Sequence, residues 1–165
     1  MFKKLINKNL KRGFTLLEII VTVSLISIGL TSIVALTTHI MIFSSFNSSK
    51  LIAAYLAQEG IEIVRNIREN NWLAEDNWRN GLDVGEWEAD YHDTYLSDNY
   101  DGDYLNIDSN GFYSYSSGQR TKFQRKITIR DIDTHSFKVT VEIFWKERGK
   151  NHSLVASEIL YNWKP

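Results

Sequence analysis

Lys11-Arg12-Gly13-Phe14-Thr15-Leu16-Leu17-Glu18 is the stretch on which the fold turns. A basic leader stops at a glycine, and an apolar run begins at once. The fifth residue of that run is a carboxylate. Between Arg12 and Lys50, Glu18 is the only side chain charged at neutral pH, with His39 taken as neutral. An isolated acid inside an apolar segment is costly unless something pairs with it, which makes Glu18 a functional candidate. Cleavage after Gly13 would create a new amine on Phe14. That amine would lie close to Glu18 and to the Glu18 of a neighbouring copy.

Working outward, Phe14 to about Phe46 is long and apolar enough to span a bilayer, which takes roughly 20 such residues. Leu, Ile and Val dominate. The scattered Ser and Thr hydroxyls can bond back to the helix, so they cost little in lipid. No proline interrupts the run, and Gly29 is its only glycine. A secretory signal peptide also pairs a basic start with an apolar core, but that core is usually about 7–15 residues. An ordinary signal anchor would explain the length and the charged flank. It would not explain Gly13-Phe14 or Glu18.

The pattern resembles the type IV prepilin family of pilins, minor pilins and type II secretion pseudopilins. The resemblance rests on Gly13-Phe14-Thr15-Leu16-Leu17-Glu18, the basic leader 1–13 and the apolar helix, roughly the first third of the chain. It implies that a membrane-bound prepilin peptidase cuts after Gly13 and methylates the amine of Phe14. It also implies that Glu18 guides packing with other pilin subunits, through an inner-membrane assembly platform, into a helical filament. Lipid surrounds the helix before that step. Ala54-Tyr55-Leu56-Ala57-Gln58-Glu59-Gly60-Ile61-Glu62 and Trp163 resemble minor pilins. The absence of a proline part way along the helix departs from many pilins and implies a less kinked helix.

The whole chain has 165 residues and a net charge of −1. The leader carries Lys3, Lys4, Lys8, Lys11 and Arg12 with no acid, so its removal leaves 152 residues near −6. That balance argues against a generally basic nucleic-acid binder. Positive charge before the apolar run predicts a cytoplasmic N-terminus, with the bulk of the chain outside the cytoplasm. With no cysteine, the chain has neither disulfide nor thiol chemistry.

From residue 47 to Arg68 the helix is expected to continue in amphipathic form. Ile52, Leu56, Ile63 and Ile67 recur at helical spacing, with Tyr55 beside them. Gln58, Glu59, Glu62, Arg65 and Arg68 lie largely off that stripe. Residues 69–103 hold eleven acids and one arginine, with aromatics spread among them, and read as a long acidic connection. Residues 104–165 read as an antiparallel sheet. Tyr104–Ile107 and Phe112–Tyr115 flank the Asp108-Ser109-Asn110-Gly111 turn. Longer strands follow at Lys122–Ile132, Ser136–Lys146 and His152–Trp163, the last with a break near Glu158. Together these predict an α+β, pilin-like fold: a long N-terminal helix, half membrane-spanning and half amphipathic, packed on a C-terminal antiparallel sheet.

Other chemistry is sparse. His39, His92, His135 and His152 have no ligand spacing, and no serine sits in a nucleophile context, so the chain does not read as an enzyme. Asp98, Asp101, Asp103 and Asp108 around Gly102 form an acidic turn with the hard oxygens that calcium takes, though without EF-hand spacing, and a solvated loop is the better reading. Arg120, Lys122, Arg125, Lys126 and Arg130 read as a solvated basic strand face, or as one that meets the acidic connection of the next subunit. Two functions follow: a pilus-like filament subunit or secretion pseudopilin, or a single-pass anchored adhesion module that never polymerises.

Overall fold

A computed structural model describes residues 13–96 and 98–163, with Asp98 described by its backbone alone. The leader up to Arg12 lies outside the described residues. The chain divides into two compact units, residues 1–45 and 46–165. One helix, α1, covers Leu16–Leu73.

In the first unit α1 is apolar around its whole circumference. It contains a stretch long and apolar enough to cross a membrane, none of it buried within the chain. Its hydroxyls bond back to carbonyls one turn earlier, as expected. Ser24 Oγ donates to the Ile20 carbonyl at 2.8 Å, Ser27 to Val23 at 2.8 Å and Thr38 to Val34 at 2.9 Å. Each bond removes an unsatisfied donor that hydrocarbon could not accept.

In the second unit α1 buries one stripe: Ala53, Leu56, Ala57, Gly60, Ile63, Val64 and Ile67. The spacing is helical, but the stripe is smaller in bulk than the expected one. Ile52 is only half-buried and Tyr55 is exposed. The small residues let the sheet come close. A Cβ on Gly60 would stand 2.9 Å from Val141 Cγ1. The helix also runs five residues past Arg68. Trp72 anchors this last turn: it is buried, its indole N–H donates to Asn162 Oδ1 at 3.2 Å, and the Arg68 guanidinium lies 4.5 Å over its ring. Arg68 is therefore buried rather than off the stripe, and that burial pulls its pKa down.

The sheet has seven antiparallel strands: β1 Gly85–Glu88, β2 Asp98–Asn99, β3 Tyr104–Ile107, β4 Tyr113–Ser114, β5 Gln119–Asp133, β6 Ser136–Glu147 and β7 Lys150–Tyr161. Strand β5 is the axis. One edge pairs with β6, which pairs in turn with β7. The other edge is shared end to end: β3 takes the stretch from Gln119 to Gln124, and β1 takes Ile127 to Ile129. The acidic connection is thus no plain loop, since it contributes β1 and β2. Along β1 Glu86 is exposed, Trp87 half-buried and Glu88 buried.

Phe123, Ile127 and Ile129 of β5 and Val139, Val141, Ile143 and Trp145 of β6 turn inward and form the core with the buried stripe of α1. Burying each such side chain stabilises by about 1.5–3 kcal/mol. Two expectations are corrected. Strand β7 pairs with β6 without interruption from Lys150 to Tyr161, so there is no break at Glu158. Glu158 is half-buried and accepts from Arg65 at 2.6 Å, which explains an acid at a core-facing position. Arg125 is not on a solvated face. It is fully buried between α1 and the sheet, where it meets Glu59 at 3.0 Å and the Ala89 carbonyl at 2.6 Å.

Candidate functional site

The site begins at the first turn of α1. Thr15 is its N-cap. The Thr15 hydroxyl accepts the Glu18 N–H at 3.2 Å, and the Thr15 carbonyl accepts the Ile19 N–H at 3.2 Å. Thr15-x-x-Glu18 is a capping-box sequence, a signal in the chain that explains where the helix starts. Glu18 therefore stands in the first turn, at the positive end of the helix dipole, which favours a carboxylate.

Phe14, Glu18, Ile19, Thr22 and Val23 line a shallow concavity on one flank of this turn. Thr22 Oγ1 donates to the Glu18 carbonyl at 2.7 Å and closes its floor. Phe14 is 79 % exposed and Leu17 74 %. Gly13 has open space around it: a Cβ there would meet nothing within 4 Å, and its backbone needs no left-handed conformation. The fold gives no reason for a glycine at that position. Among the described residues Glu18 has no cation within ion-pair distance.

The calcium candidates do not converge. Among the described residues no three His, Asp or Glu side chains form a metal-holding group. The Asp108 carboxylate accepts the N–H groups of Asn110 at 2.8 Å and Phe112 at 3.0 Å, and these hold its pKa below the usual carboxylate range. Asp101 and Asp103 are exposed, and the side chain of Asp98 lies outside the described residues. The turn's backbone is held by a different acid. Glu88 is buried and accepts the N–H groups of Gly102 and Asp103, each at 3.0 Å. Burial pushes its carboxyl above the ordinary value, against the pull of those amides. Of the basic residues on β5, Lys126 pairs with Glu86 and Glu142 at 3.3 Å each, while Lys122 reaches Ser49 at 2.7 Å and Glu147 at 3.1 Å.

Fold and site together define an α+β, pilin-like protein whose N-terminal helix is capped by an acid-bearing turn. Residues 8–34 match the family model described as the prokaryotic N-terminal methylation motif, and the chain so carries the type IV prepilin-like signature. Comparison with curated proteins and with solved structures finds no match. The motif supports a type IV pilin- or pseudopilin-like protein, a class of structural subunits.

Proposed function

We propose that the chain is a subunit of a type IV pilus-like filament. It is made as a prepilin held in the cytoplasmic membrane, its bulk outside the cytoplasm. Prepilin peptidase cuts it after Gly13 and methylates Phe14. The subunit then leaves the bilayer and packs its apolar helix among those of its neighbours, with Glu18 against the Phe14 amine of an adjacent copy. Both charges are then compensated where either alone would be costly to bury, so the register of packing is set.

One observation carries this reading: apart from Ile42, which is half-buried, every large apolar side chain of the first unit's helix is exposed, and one carboxylate stands among them. Such a surface needs lipid or other helices. Gly13 supports it further, since nothing within the fold asks for a glycine there. The test is the intact mass and N-terminal sequence of the membrane-extracted protein, made with and without a prepilin peptidase. The expected product starts at N-methylated Phe14. A chain that keeps residues 1–13 in the presence of the peptidase would leave an ordinary anchored protein.

A further inference from the structure

Two places in the second unit break local rules in opposite senses. The first is the end of α1. The Glu75 N–H donates to the Trp72 carbonyl at 3.3 Å and the Asp76 N–H to the Asn71 carbonyl at 2.9 Å, a Schellman ending. The left-handed position of such an ending usually takes glycine, and here it is Glu75, at φ 57°. Glu75 and Asp76 also sit at the negative end of the helix dipole, with no basic residue in the last turn. The turn is rigid nonetheless. Asn71 Nδ2 donates to the carbonyls of Trp78 at 3.3 Å and Asn80 at 2.8 Å. It presents exposed Glu75 beside Leu73, which is 80 % exposed.

The second place is the outward face of the sheet. Arg130 of β5 lies directly opposite Lys138 of β6. Both are exposed, and no described carboxylate pairs with either. Like charges directly opposite on a sheet destabilise it. Arg130 and Lys138 line one end of a concavity with Thr128 and Thr140; toward its other end Glu86 and Glu142 are taken up by Lys126, so the two outer cations keep their charge unmatched. On β7 exposed Ile159 stands opposite Lys138, and exposed Val155 lies further along the same strand, opposite Glu142. Along the sequence the charge is uneven in the same sense. Residues 69–103 carry eleven acids against one arginine, whereas residues 119–163 carry nine cations against five acids.

We propose that these two places meet between copies of the chain. The Leu73–Asp76 knob of one copy docks on the Arg130–Lys138 patch of the next, with Glu75 between the two cations and Leu73 against Val155 and Ile159. Each side supplies what the other lacks. The contact joins two different surfaces, so it propagates from copy to copy instead of closing a pair. It rests on the subunit reading above and adds a contact between heads to the packing of helices.

The test uses the full chain in liposomes, and the absence of native cysteine lets introduced ones report alone. Chains with Ala74→Cys and chains with Ser157→Cys, separately tagged, are mixed under mild oxidation. The mixed dimer is expected to form at least about fivefold faster than either like dimer, a ratio matching one modest ion-pair contact. Arg130→Glu with Lys138→Glu on the Ser157→Cys chain removes that preference, and Glu75→Lys on the other chain restores it. Equal formation of all three dimers, or indifference to charge reversal, overturns the contact. Glu75→Gly gives a second readout. Its thermal unfolding midpoint should rise, because the left-handed position is relieved, while mixed dimers fall. A variant that gains stability and keeps the preference would also overturn it. The liposomes hold no peptidase, so cross-linking reports this contact and the N-terminal mass reports processing; either can fail without the other.

Discussion

At the scale of single residues, Arg125 shows how far burial can depart from composition. It lies inside a strongly basic strand, yet it is the one cation of that strand that the core takes whole. Its guanidinium bridges Glu59 on α1 and the Ala89 carbonyl after β1, so it ties the helix to the strand next to its own. Arg125→Ala should cost about 3 kcal/mol in denaturant unfolding, because Glu59 and Ala89 are left without a partner. Arg125→Met with Glu59→Met should recover most of that loss. Asp108 makes a second residue-scale case. The amides of Phe112 and Asn110 lower its pKa, so its contribution is complete above the ordinary aspartate value and is lost as pH falls through the lowered one. The protection of the Asn110 and Phe112 amides, taken relative to their intrinsic exchange, should therefore fall as pH drops through that lowered value, and Asp108→Asn should show the weaker protection already at neutral pH.

At the scale of elements, the close approach of α1 to β6 depends on Gly60. A methyl group there would crowd Val141 and the Arg125 side chain, both fully buried. Gly60→Ala gains about 1 kcal/mol of helix propensity. Overpacking should outweigh that gain, for a net loss of about 1–2 kcal/mol read by thermal unfolding. The strands were legible to different degrees. Alternation in Phe123–Arg130 and Phe137–Lys146 placed β5 and β6 within a few residues, because a half-buried sheet imposes a period of two. The Asn110-Gly111 turn placed β3. Strand β1 was missed, since four residues among acids give too short an alternation to stand out. Glu158 misled the reading of β7 because a carboxylate at an inward position looks like a break until Arg65 is seen beside it.

At the scale of the whole molecule, the proposed function gives Glu18 a role in assembly beside its place in the first turn of α1, and substitution can separate the two. Glu18→Gln keeps a capping-box side chain but removes the charge. Glu18→Ala removes both. Both variants should still enter the membrane and be cut after Gly13. Both should lose at least about tenfold in filament incorporation, measured in sheared filament fractions, because the amine of Phe14 is then buried unpaired. Incorporation of Glu18→Gln at the normal level would reduce Glu18 to a helix cap.

The sequence by itself determined the apolar helix, the glycine and the acid at its start, and the α+β order, because a bilayer-length run and strand alternation are properties of residue spacing alone. It also held the Thr15-x-x-Glu18 cap in plain view. Only the tertiary structure decided which acids and cations are buried and which are stranded. Arg125 reads from the chain as part of a solvated face and Glu158 as a break in a strand, yet Arg125 is buried and Glu158 half-buried, each against a partner distant in sequence. Glu75 and Arg130–Lys138 also look ordinary until the backbone conformation of one and the cross-strand register of the other are known. Burial and register arise from contacts between segments, and no local pattern encodes them.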